Sequence, residues 1–477
     1  MKILTLIIFF ALLKQQLFAQ DCDCLSNLNW VIETFQTNDA GYQMAITEKG
    51  KDFDQRITET SRQKAAHVST KKECAALMLE WLHSFRPQHL GIQLKEEDHS
   101  LVANNTRKID FSDWETMDLN VSTFKAQLSQ GKIKPLEGIW QSDPYTIAIV
   151  ASENGYTGII LEGGNSGWKK GEVKLHIQSD GQHGIYYLKD RSELAISNIE
   201  YMGSSHIRFN QLLFERTFPA TIHEADIDHY IKSSSAKKPY IDVVNEHTLL
   251  LRIPSFEFSE KVWIDSVVAA NKSQIGLYPN LIIDLTNNGG GSDASFEALL
   301  PLIYTGPIRT IQTTYYSTPF NIQEYKDYLS LPDLTESDRK MLIEAIGKLE
   351  RHPFEFVTLT DSITEEVVDS IYLYPKQIAI LINEGCASTT EQFLLAARQS
   401  RKVKLYGKQT MGVLDISNMK TVDSPCHDYS LAYSWTRSLR LPHYPIDDIG
   451  IQPDFFLDES IPTYQWIGYV AKKMAEE

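Results

Sequence analysis

Around Ser388 the spacing of apolar residues changes from that of a strand to that of a helix, and few architectures accommodate such a switch. Gln377 to Ile382 (Q-I-A-I-L-I) is an unbroken apolar run of strand length. Small residues follow, Gly385, Cys386 and Ala387, and then Phe393, Leu394, Ala396 and Ala397 recur at helical spacing. Val403 to Gly407 reads as a second strand. Short strands that are apolar on both faces belong to sheets covered on both sides, so this unit predicts an α/β layer. Ser388 falls where the first strand gives way to the helix. A hydroxyl there can cap the helix, with Glu391 completing an S-x-x-E box. It can equally act as a nucleophile, because the free N–H groups of a helix start can hold a developing oxyanion.

Leu281 to Ser292 (L-I-I-D-L-T-N-N-G-G-G-S) is the second informative stretch. A short apolar strand runs into a polar turn with three consecutive glycines, which let backbone amides approach a ligand closely. The Lys-[Ser/Thr] ending of a phosphate loop is missing, and so is the G-x-G-x-x-G spacing of a dinucleotide fold. A strand entering a glycine turn, followed later by a strand entering a small-residue turn with serine, fits acyl transfer better than nucleotide binding.

These two stretches, with Gly407 to Gly412 (G-K-Q-T-M-G) and Gly450 to Asp454 (G-I-Q-P-D), resemble the tail-specific, or C-terminal processing, serine protease superfamily in order and spacing. The resemblance is best over Thr248 to Leu457. It implies a serine peptidase acting on peptide or protein substrates, with an α/β catalytic core of ClpP/crotonase-like β-α-β layers. It also implies that Ser388 is the nucleophile. A serine needs a base, and many members supply a lysine from the segment after the second strand. Aligned residue by residue, that lysine falls on Val413, which cannot accept a proton, and Lys408 is expected to point away along the strand. The chain therefore resembles the tricorn-like branch more closely. That branch implies His89 as base and an acid at Asp447, with Asp448 beside it as a substitute. Gln88 stands where those relatives have serine, and an aspartate reaches one methylene less far than their glutamate. Oxyanion donors are expected from the N–H of Thr389 and one of Gly289 to Gly291, with Gly290 the first choice. His427 and His443 are alternative bases, and Cys386 is an alternative nucleophile. Two other readings are a binding protein on a protease fold that has lost its base, and an esterase on the same core. No cofactor or metal is called for.

Met1 to Ala19 has the charged start, apolar core and small final residue of a secretory signal peptide, so an exported protein, periplasmic or extracellular, is expected. Its apolar core is too short to span a bilayer, and no later segment is long and apolar enough. The formal charge of −16 argues against nucleic-acid binding, which needs a basic face. Five cysteines are present. Cys22 or Cys24 could pair with Cys74 across the N-terminal helices, while Cys386 reads as a small buried residue.

Residues 20–95 show helical spacing through Leu28, Ile32 and Phe35 and again through Leu77, Met78 and Trp81, ending at Arg86-Pro87 just before His89. After a connecting segment, 96–134, short β-rich runs alternate with Gly, Asn and Asp turns over 135–219. That texture predicts an antiparallel module of about six to eight strands without a PDZ-like helix. Its opening, Gly138-Ile139-Trp140, resembles the G-x-W start of lipocalin-like barrels. A polar linker within 220–247 leads to the core, 248–477.

Overall fold

The computed structural model of the chain describes residues 22–95, 111, 113–131, 133–332, 334–369 and 371–476. The expected signal peptide, Met1 to Ala19, lies outside them. The core is a six-stranded sheet in the order Tyr240–Asn245, Thr248–Arg252, Asn280–Asp284, Gln377–Ile382, Val403–Gly407, Phe455–Phe456. The first pair is antiparallel and every later pair is parallel. Helices Lys261–Ala270 and Thr389–Ala397 pack on one face, and the C-terminal helix Trp466–Glu476 packs on the other. Covering both faces is what makes the central strands apolar throughout.

Register decides where the chemistry sits. Asp284 is level with Leu381 across the two central strands. The glycine turn after Asp284 and the serine turn after Ile382 therefore leave the sheet at the same edge, the carboxyl end where open α/β sheets bind ligands.

The N-terminal helices Cys24–Asn38, Tyr42–Lys49, Lys51–Ala65 and Lys71–His83 bury their apolar faces against each other and against strand Tyr429–Ser438. That strand is the centre of a second sheet, which also contains Gly91–Leu94, Thr313–Tyr316, Phe356–Thr358 and Ile416–Asp423. Two disulfides tie this half together, Cys24–Cys74 and Cys22–Cys426. The first is one of the two pairings expected. The second, between Cys22 and Cys426, was not among the expected pairings, and Cys386 is left as the free, buried thiol.

Between Gly138 and Phe218 lie nine antiparallel strands, one more than the upper sequence estimate, with no helix among the described residues of that window. Trp140 is fully buried, and the Arg216 guanidinium stacks on its ring at 4.4 Å while donating to the Glu137 carbonyl at 2.9 Å. Between strands Thr313–Tyr316 and Phe356–Thr358 a charged insertion forms two helices, Pro319–Tyr328 and Glu336–Glu350, separated around Leu331-Pro332. The stretch 295–304 winds as a 3-10 helix, Asp293–Leu299, before one α turn.

Candidate active site

The glycine turn and the serine turn are laced together by backbone. Ala387 N donates to the Asn288 carbonyl at 3.2 Å, Thr390 Oγ1 to the same carbonyl at 2.9 Å, and Thr389 Oγ1 to the Gly291 carbonyl at 2.9 Å. The approach is so close that a Cβ on Gly290 would lie 2.6 Å from the Ala387 carbonyl oxygen and 2.9 Å from Ser388 Cβ. Only glycine fits there, and its φ of 96° disfavours other residues as well.

Ser388 itself has φ 56° and ψ −121°, a conformation that is costly for a residue with a Cβ. The surrounding bonds enforce it. Glu391 completes the S-x-x-E box from its side, accepting from Ser388 N at 3.1 Å. It does more than cap: its buried carboxylate also accepts from Thr410 Oγ1 at 2.5 Å and from Gly412 N and Val413 N at 2.8 Å each. Burial raises the Glu391 pKa, and these donors pull it back. Val413, at the position where a lysine base would stand, is buried and fixed by its N–H.

His89 reaches the same cleft from the other half of the molecule. It too has positive φ, 52°. Its Nδ1 is 2.6 Å from the Ile416 carbonyl. A carbonyl only accepts, so Nδ1 carries the proton, and in the neutral ring the lone pair sits on Nε2. Burial holds the His89 pKa below its ordinary value and the Arg86 charge lowers it further, while the bond to Ile416 opposes both. A lowered pKa favours the neutral ring, the form able to accept a proton. Arg86 also holds the loop, donating to the Gln88 carbonyl and pairing with buried Asp39, which accepts from Ser434 N at 3.2 Å.

Asp447 does not touch His89, which departs from the direct acid–base contact expected. Its carboxylate accepts from Leu414 N and Asp415 N at 2.6 Å each and from Ile416 N at 3.2 Å. The short aspartate side chain is spent on the backbone whose next carbonyl holds the histidine. Asp415 answers in kind, accepting from Asp447 N at 2.9 Å and pairing with buried Arg440 at 3.1 Å. The two segments are clamped reciprocally. Asp448, the substitute acid, has φ 62° and donates its N–H to the Gly412 carbonyl at 3.1 Å.

Gly290 N–H, the first choice as oxyanion donor, is taken, since it donates to Asn288 Oδ1 at 3.0 Å. Among the described residues the N–H groups of Gly289, Gly291 and Thr389 have no intramolecular acceptor. All three residues line the cleft.

The cleft has a volume of about 800 Å³ and is lined by His89, Ser388 and these donors. Its far wall is aromatic, with Trp435 5.2 Å from Tyr315 and 5.3 Å from Tyr325 between ring centres. Asp293 also faces it. Desolvation of the Asp293 carboxyl raises its pKa, against the opposing pull of Thr389 and Arg440. Lys408 is turned away onto Glu384 at 3.4 Å. Neither His427 nor His443 lines the cleft. Cys386 Sγ is buried against the Leu285 carbonyl at 3.1 Å, and burial pushes its thiol up to about 12, which removes it as a nucleophile at neutral pH. Sequence reasoning missed Asp39, Arg86 and Asp415. No local pattern marks them, because each acts across elements that the fold alone brings together.

Residues 247–457 match the family model "Peptidase family S41". No curated protein matches the chain in sequence. Among solved structures, mature CPAF complexed with lactacystin is similar at 14% identity and TM-score 0.52, covering 94% of this chain and 97% of that one. Mature CPAF without that ligand gives the same identity and TM-score, covering 94% and 96%. The tricorn protease aligns at 12% identity and TM-score 0.42, covering 95% of this chain and 36% of that one.

Proposed function

We propose that the chain, a serine-type peptidase of the S41, tail-specific protease superfamily, hydrolyses peptide bonds through Ser388 with His89 as its base. The observation that carries this reading is the meeting of two residues far apart in sequence in one cleft, with the histidine in the tautomer that leaves Nε2 free. In the proposed reaction His89 Nε2 takes the Ser388 proton as Oγ bonds to the scissile carbonyl carbon, and the carbonyl π pair moves to oxygen. Thr389 N–H and one of Gly289 and Gly291 stabilise that oxyanion. The C–N bond then breaks, His89 returns the proton to the leaving amine, and water repeats the cycle on the acyl-enzyme. Asp447 acts here as a positioning residue, setting the Ile416 carbonyl that holds His89.

No hydrogen bond joins Ser388 to His89, and such catalytic contacts commonly tighten when substrate binds. The same gap suits a binding protein on the protease fold, so the test is covalent. A fluorophosphonate probe should label the wild type at Ser388 and label His89→Ala far more slowly. A wild-type protein that stays unlabelled would establish the binding reading. Peptide and ester substrates compared side by side separate a peptidase from an esterase. Export, expected from Met1 to Ala19, belongs to this proposal too, and N-terminal sequencing of the secreted protein tests it.

A further inference from the structure

At the edge of the core sheet opposite Ser388, where Gln377–Ile382 and Val403–Gly407 begin, the chain gathers positive charge. Lys376, Arg401, Lys402 and Lys404 line one pocket of about 280 Å³, closed from behind by Tyr406 and Met474. The overall charge of the protein is −16, so a pocket whose charged residues are all basic is not a by-product of composition. Neighbouring cations have found partners, Arg398 with Asp454 at 3.3 Å and Lys408 with Glu384 at 3.4 Å. Among the described residues no carboxylate pairs with Lys376, Arg401 or Lys402. Lys404 has contacts of its own, including the Phe455 ring at 5.4 Å.

Lys402 carries the argument further. Its Nζ is buried and has no hydrogen-bond partner among the described residues. A buried, unpartnered ammonium is costly, and burial accordingly lowers the Lys402 pKa. The backbone prevents an easy escape, because the Lys402 carbonyl is fixed by Ile378 N at 2.7 Å. Repulsion between the cations adds to that cost, and the neutral contacts of Arg401 with the Thr305 carbonyl at 3.3 Å and of Lys376 with the Tyr374 ring at 5.3 Å supply no opposite charge. A ligand with several negative oxygens would satisfy both. Arg401 offers a planar fork and the two lysines mobile point charges, the set that suits phosphate.

We infer that this pocket binds a small phosphate, as inorganic phosphate or the phosphoryl group of a small molecule, through Lys376, Arg401 and Lys402. The site is remote from the cleft and independent of the proposed reaction. The test is calorimetric titration of the whole protein with inorganic phosphate against chloride at equal ionic strength. Phosphate should bind saturably and chloride should not. Lys402→Gln should weaken binding at least tenfold. Exposed Lys376→Gln, which leaves the buried positions intact, should weaken binding severalfold with an unchanged melting temperature, and it carries the test should Lys402→Gln not fold. Fluorophosphonate labelling of Ser388 should be the same in both variants. Binding that is equal for chloride, or unchanged in the folded variants, would overturn the inference.

Discussion

Ser388 and His89 face one cleft, yet the chain holds them by different means. The serine is fixed within its own neighbourhood: a strand end, a helix start and the glycine turn of the adjacent strand, joined by backbone bonds at level register. The histidine is fixed from a distance. Its ring rests on the Ile416 carbonyl, its loop on Arg86 and Asp39, and its following strand on Tyr429–Ser438. One half is a local motif and the other an assembly of remote parts. A local motif survives as long as the sheet does, whereas the assembled half can be disturbed from many places without touching the sheet.

The largest effect that tests this contrast is at the serine. Ser388→Ala should lower kcat by about a million-fold, the scale found when a nucleophile is removed. It should abolish fluorophosphonate labelling and leave the melting temperature within about 1 °C of wild type, a shift of about 1 kcal/mol or less for a chain of this size. A large drop in stability would show that the strained turn depends on the hydroxyl, and the local half would then be less self-sufficient than described.

His89→Ala should slow acylation by a factor on the order of 100 to 10,000. The pH profile sharpens this. A base must be neutral to accept a proton, and burial lowers the His89 pKa. The acid limb of kcat/KM should therefore fall below the ordinary imidazole value of about 6.5. A limb above that value would mean that the histidine is solvated or faces a carboxylate, and the carbonyl contact would be wrong.

Asp447→Asn should cost about tenfold in kcat, somewhat less than the ~1.5–3 kcal/mol of one charge-assisted hydrogen bond, since an amide oxygen still accepts from part of the clamp. The slowed variant should keep the KM and the labelling site of the wild type. An effect as large as that of His89→Ala would show that Asp447 contacts the base directly during turnover.

Lys408→Ala is the smallest, with activity expected within about twofold, because a partly exposed pair with Glu384 is worth about 0–1 kcal/mol. If it abolished activity with the fold intact, the base would be a displaced lysine.

The same contrast explains what the sequence could tell. The Ser388 turn was legible because its whole logic, apolar run, small residues, serine and helical spacing, is contiguous. The glycine turn was legible for the same reason, but not which amide stays free: that depends on Asn288 folding back onto Gly290 N. His89 could be reached only through the family resemblance, since a histidine after Arg86-Pro87 has no pattern of its own. The place of Asp447 was legible and its contacts were not, because its reach is set by the 414–416 backbone. Nine strands instead of six to eight reflect short elements such as Glu200–Met202, too brief to show an alternating period. The Cys22–Cys426 pair lay beyond reach, since nothing local links residues at opposite ends of a chain.

That last bond has a topological consequence. Cys22 and Cys426 are 404 positions apart in sequence. Joining them closes nearly the whole chain into a covalent ring, with both proposed catalytic residues inside it. A single cut anywhere in the ring cannot separate the molecule into pieces. The nicked protein would run as one species under oxidising conditions and as two only after reduction. Inside such a ring, the peptide bond is no longer what keeps the two halves of the cleft in company.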